Sequence, residues 1–284
     1  FLFAAASDAS FTADTILAEI AKNYRLSLTD RLLYRFAIIP ATRRGLLQLQ
    51  QRDSWMTTRT DWGRGRIDPV TPVKFTTLRK PVDATIGNSD MVPVWNLQAD
   101  DGYAYHGDGL NTDLREVVLS SAIGDGATTK WVDADYAKWN NSDLNRSSLR
   151  RIQDFMRTSP SPRYPLPIDA SSAGKGATIF TKYCATCHAA GGARTGTVIP
   201  LSEVGTDRHR LDMWTRGSAK PYNDYGEGHA WKFSHFRTTA GYVTGPLDGV
   251  WMTAPYLHNG SVPTLKDLLE KQPDRPIRFW RGSD

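Results

Sequence analysis

The only two cysteines of this 284-residue chain stand three positions apart, and a histidine follows the second, in Lys182-Tyr183-Cys184-Ala185-Thr186-Cys187-His188. Two thiols at this spacing can each add across a vinyl group of one porphyrin, and the adjacent histidine then lies beneath the iron. The motif therefore predicts one covalent haem c, attached through Cys184 and Cys187, with His188 as an axial iron ligand. A redox-active dithiol would close a strand and open a helix, whereas a helical pattern precedes this pair. A zinc site would need two further ligands from distant histidines. Two inert cysteines beside a surface histidine are the remaining alternative, and a disulfide scaffold is excluded.

Elements must deliver these groups. Ser171-Ser172 is a candidate cap for a helix whose Ala177, Phe180 and Cys184 share one face, with Gly176 leaving room for a crossing helix. After the motif, Gly191-Gly192 leads to Ile199-Pro200-Leu201, where a backbone carbonyl is expected to accept the Nδ1 proton of His188. Pro200 is accordingly a candidate cofactor contact.

The sixth iron position separates electron transfer from catalysis, since two strong ligands close the metal. His258 is the leading candidate and Met252, in an apolar run, the alternative; either could serve as ordinary structure. Arg210 is a candidate partner for a haem propionate. His229 and His235 flank Trp231 and Phe233 at a spacing that suits neither a helix face nor a strand pair around one metal. Both read as partly exposed.

Organisation follows from caps and prolines. Thr12 opens a helix carrying Ile16, Leu17, Ile20, Ala21 and Tyr24. A second helix, capped at Thr29 or Asp30, carries Leu32, Leu33, Phe36 and Ala37 and is expected to stop at Pro40. Residues 55–115 read as long ordered loops, and 144–156 as a helix with Leu149, Ile152 and Phe155 inward. The closely spaced prolines of 159–167 predict an extended linker between a first lobe, 1–158, and a haem domain, 168–284. Trp214 to Phe236 reads as loop, and 264–271 as a last helix.

Composition narrows the function. The formal charge of +5 is spread along the chain with no basic block, which argues against nucleic-acid binding; a mildly basic surface could instead steer an acidic redox partner protein. No apolar stretch approaches the roughly 18 residues that a membrane span needs. The opening Phe1-Leu2-Phe3-Ala4-Ala5-Ala6 is consistent with the remnant of an export signal.

From about residue 60 onward several segments together resemble the two-haem cytochrome c peroxidase superfamily, most closely its rubber-oxygenase-like branch. They include Gly63-Arg64-Gly65-Arg66-Ile67-Asp68-Pro69, Met91-Val92-Pro93-Val94-Trp95-Asn96, Asp108-Gly109-Leu110-Asn111, the haem motif, and Ala254-Pro255-Tyr256-Leu257-His258-Asn259-Gly260-Ser261-Val262-Pro263-Thr264-Leu265. The resemblance implies a mostly α fold with a cytochrome c-like haem lobe plus a second loop-rich helical lobe. It also implies export to the periplasmic or extracellular side. It further implies a second haem motif and a closing helix beyond Phe279-Trp280-Arg281-Gly282, which this sequence does not contain. A shortened protein or part of a longer chain is expected. Where the family commonly has a tryptophan between its haems, this chain has Gly107, so Tyr103, Tyr105 and Trp95 are candidate relays. Glu116 is a candidate general acid, set against the reading of a solvated helix glutamate.

One-electron transfer through haem c, within a larger redox assembly, is the function these readings predict. A haem peroxidase or oxygenase acting with a second haem is the alternative. Calcium is a candidate second cofactor.

Overall fold

Side chains that satisfy the first turn set most of the helix starts. The computed structural model describes residues 2–60, 63, 65–97, 102–141 and 146–279, and the chain divides into two compact units, Phe1–Asp61 and Trp62–Asp284.

The first unit is helical, with α1 (Leu2–Ser7), α2 (Ala13–Asn23), α3 (Leu28–Leu33) and α4 (Ile39–Arg52). Thr12 caps α2 by accepting from Thr15 N. Helix α3 begins one turn earlier than expected, because Ser27 and Asp30 form a reciprocal capping box. Pro40 does not end the helix. Tyr34–Ile38 form a π turn in which Ile39 N donates to Tyr34 O, and Pro40 then falls in the first turn of α4, where its missing N–H costs nothing. Ala6 and Ile39 are buried here, whereas Leu32, Leu33 and Phe36 are exposed.

The second unit opens with irregular chain carrying two short strands, β1 (Arg66–Ile67) and β2 (Ser89–Asp90), paired antiparallel. Helix α5 (Leu114–Gly124) follows, capped by Asp113, which accepts from Arg115 N and Glu116 N. Then come α6 (Thr129–Tyr136) and α7 (Ser148–Thr158). The buried Asp135 of α6 accepts from Ser148 N at 2.7 Å and Leu149 N at 3.1 Å, so one helix caps the next. Within α7 only Leu149 is buried; Ile152 and Phe155 are exposed, which corrects the expected inward face. Leu144 lies outside the described residues, as do Arg64 and Trp280 to Gly282.

The remaining elements are α8 (Ala170–Tyr183), α9 (Ala185–His188), α10 (Leu201–Val204), α11 (His209–Met213), α12 (Arg216–Tyr225) and α13 (Leu265–Leu269). A two-stranded antiparallel ribbon joins β3 (Val198–Pro200) to β4 (Gly241–Val243) in the register Val198↔Val243, Ile199↔Tyr242. The protein is mostly α. Helix α12 occupies chain expected to be loop; Pro221 lies inside it, and burial of Ala219 and Tyr222 holds it.

Leu119, Val132, Met213, Tyr222 and Trp231 are fully buried at the centre of this unit. Trp214 and Phe236 meet Tyr222 edge-on at centroid distances of 5.8 and 4.7 Å, a geometry that aromatic quadrupoles favour. The Pro-rich 159–167 segment lies inside the second unit. Asn96 N donates to Ser159 O at 2.7 Å, and Trp251 Nε1 donates to Pro162 O at 3.1 Å. Prolines make this chain extended, and packing on both sides keeps it so.

Candidate functional site

Helix α8 starts at Asp169, whose carboxylate accepts from Ser172 N, so the cap lies before the Ser171-Ser172 pair. Cys184 ends α8 with φ −121°, and Cys187 N and His188 N both donate to its carbonyl. One short turn thus presents both thiols and the imidazole. Nothing lies within 4 Å of a Cβ placed at Gly176, so among the described residues no helix crosses closely there.

Several bonds pin the loop after the motif. Arg194 N donates to Thr186 O at 2.9 Å, and Thr195 Oγ1 donates to Ala189 O at 2.7 Å. Gly192 packs so closely that a Cβ would sit 2.4 Å from Ala185 O. Gly196, at φ +76°, lies under the Tyr103 ring and donates to Thr244 O.

His188 Nδ1 lies 2.9 Å from Gly245 O. A carbonyl only accepts, so Nδ1 carries the proton and Nε2 keeps its lone pair for a metal. The expected acceptor was a carbonyl near Pro200. The ribbon explains the difference: Pro200 pairs with Gly241 and is exposed, while Thr244 N donates to Thr197 O and carries Gly245 toward the motif. Nothing local to the motif marked Gly245; the alternation of residues 241–243 as a strand partner was the available signal.

His258 is buried. Its Nε2 lies 3.2 Å from Asp207 Oδ2, and its ring lies 4.0 Å from that of Tyr242. Tyr242 Oη donates to Asp207 O, and Asn259 Nδ2 donates to Asp207 Oδ2 at 2.7 Å. Burial pushes the His258 pKa down, partly opposed by Asp207. Met252 lies in a short 3-10 turn, Val250–Met252, with its side chain exposed.

Arg210 is buried on α11 and donates through Nη2 to Asp108 Oδ1 at 3.2 Å. Its neighbour His209 is exposed beside Asp207. His106 borders the same region, its pKa lowered to about 3 by burial and by the Arg210 charge.

Glu116 is fully buried, contrary to the solvated reading. Its Oε1 accepts from Ser234 N and His235 Nδ1, at 2.9 and 2.8 Å, and its Oε2 from Asn111 Nδ2 and His235 N, at 3.1 and 3.0 Å. A carboxylate so occupied clamps the 234–235 loop to α5. Asp113, Glu116 and His235 offer ligand atoms within 4.8 Å of one another. An imidazole in the set suits a transition metal better than calcium. His229 stacks on Trp231 and bonds Asp133. Trp95 Nε1 donates to Asp248 O, and Tyr105 pairs with Asn111.

The residues at the motif fit a covalent haem. Both cysteines are free thiols of intermediate burial, and the His188 lone pair is defined by its Nδ1 bond. Apolar side chains near the motif and near Gly245 in the chain, Ile179, Tyr183, Leu247 and Met252, are exposed.

A mostly helical fold with this thiol–imidazole turn fits a c-type cytochrome. Residues 241–281, which hold both Gly245 and His258, match the family described as RoxA-like, cytochrome c-like. The match supports a RoxA-like cytochrome c family and implies haem c binding. Two curated relatives are proteins of Sinorhizobium fredii. Uncharacterized protein y4iM is 32% identical over 161 residues, covering 46% of this chain and 35% of the relative. Uncharacterized protein y4iJ is 55% identical over 42 residues, 15% of this chain and 7% of the relative. The matched part therefore spans about a third of one relative and under a tenth of the other. No described helix is long and apolar enough to cross a membrane.

Proposed function

We propose that this chain is a c-type cytochrome that binds one haem covalently through Cys184 and Cys187 and passes single electrons to a partner protein. The observation that carries the reading is the His188–Gly245 bond, which fixes the imidazole tautomer within the Cys-x-x-Cys-His turn. When bound, the haem supplies a one-electron iron couple. Everything else falls to the chain: the thiols hold the group in place, His188 presents Nε2 to iron, and Gly245 stops the ring from rotating.

For the sixth position, His258 and Met252 are both proposed from the matched segment. Ligation by His258 requires its Nε2 to leave Asp207, whereas the exposed Met252 thioether needs no such exchange. Thioether ligation raises the potential relative to imidazole. Export to the periplasmic or extracellular side is proposed on the same family likeness, and the charge of +5 suits an acidic partner within a redox assembly.

A pyridine haemochrome count beside low-temperature electron paramagnetic resonance tests the proposal. One haem per chain with a low-spin ferric signal is expected. A high-spin signal with appreciable peroxide turnover would instead make the protein a peroxidase.

A further inference from the structure

We infer that Arg210 and His106 form a buried receiving site for a single carboxylate group. The inference rests on the haem-attachment reading only in that a haem propionate is one source of this group.

A small cavity lies inside the second unit, walled by Val70, Val73, Leu110, Trp214, Tyr222 and Phe236, with His106 and Arg210 as its basic groups. The Arg210 side chain is 3% exposed. Its Nη2 is used by Asp108, and its Nη1 is buried without a hydrogen-bond partner among the described residues. His106 Nε2 is equally buried and equally without a partner. Two such groups beside one cavity depart from the rule that buried polar atoms are paired. Leaving either unmet carries the full desolvation cost of a buried donor.

The backbone holds His106 in a conformation that non-glycine residues seldom adopt, φ +65°. Gly109 N donates to His106 O and Val243 N donates to Gly107 O, so the β3–β4 ribbon helps fix this turn. Gly245, two residues beyond Val243, is the partner of His188. The cavity and the attachment motif are thus both tied to the β3–β4 ribbon.

Charge and size select the ligand. Asp108 already offsets Arg210, and burial keeps His106 neutral at ordinary pH. A dianion such as phosphate would bring two further charges between apolar walls. An apolar occupant would leave both donors unpaired. One carboxylate can accept from Arg210 Nη1 and His106 Nε2 together, as charge-assisted bonds.

The test uses the holoprotein, with haem content counted first so that failed attachment is separated from failure of this site. His106→Asn suits the left-handed backbone, and Arg210→Lys keeps the charge opposite Asp108. Each protein is titrated with formate by calorimetry, and its propionate bending band is read by resonance Raman. With a propionate in the site, the band shifts in both variants and formate does not bind the wild type. With a free carboxylate as ligand, formate binds the wild type and each variant weakens it about tenfold or more, with the band unmoved. An unmoved band together with no formate binding leaves only water there and overturns the inference. If Arg210→Lys does not fold, His106→Asn alone decides.

Discussion

The Nδ1–H of His188 donates a hydrogen bond to the carbonyl of Gly245, 57 residues away, at 2.9 Å. That bond determines which nitrogen faces a metal, and a two-stranded ribbon outside the motif delivers it.

The ribbon's tight points make it vulnerable. A Cβ at Gly196 would lie 2.0 Å from the Tyr103 ring, at a φ of +76°. Gly196→Ala is expected to cost about 2–4 kcal/mol, from left-handed strain plus overpacking. Urea unfolding checks the loss. An unchanged midpoint would show that Tyr103 moves aside freely.

Glu116 is expected to act as a clamp. Glu116→Gln turns one acceptor into a donor that faces Asn111, Ser234 or His235, and a loss of about 2–4 kcal/mol is expected. A variant of unaltered stability that loses peroxide turnover would assign Glu116 to chemistry instead.

For His258, the buried contacts with Asp207 and Tyr242 predict a structural effect. His258→Ala should lower the melting temperature and keep the low-spin ferric signal. Conversion to high spin would identify His258 as the ligand.

Two titrating groups, His106 and Asp90, pull the pH profile in opposite directions. His106 has a folded pKa of about 3, below the ordinary 6.5, so the unfolded chain binds more protons between these values. Stability from this source falls as pH drops from 6.5 to about 3, by an amount on the order of a few kcal/mol. His106→Asn should flatten that limb in urea titrations taken at stepped pH.

Asp90 behaves in the reverse sense. Burial raises its pKa to about 7 against an attraction from Arg66, so the folded chain holds the proton longer and stability falls as pH rises from 3.8 through 7. Asp90→Asn is expected to be the more stable protein above pH 7 by about 1–2 kcal/mol, the carboxyl being partly open to solvent. No difference should remain near pH 3. Equal stabilities at pH 8 would contradict the burial argument.

Local chemistry was legible in the chain. The Cys184, Cys187 and His188 spacing is a contiguous signal, and so is Thr12 as a cap, because each acts within one turn. The mostly helical character was what the family resemblance implied, while apolar spacing marked individual helices such as α2. Glu116 was not: its surface-like position on α5 gave no sign that loop 234–235 would close over it. Pro40 misled because a π turn upstream removed the conflict that a proline creates. The prolines of 159–167 signalled extended chain correctly, but not that Trp251 and Asn96 would pack against it.

By itself the sequence determined which groups can bond a porphyrin, since covalent reach depends only on neighbours along the chain. The tertiary structure alone decided that Gly245 orients His188, that Asp207 engages His258, and that Arg210 and His106 meet at one cavity. Those relationships join residues 50 or more apart, and only burial of the aromatic core and the pairing of β3 with β4 bring them within bonding distance.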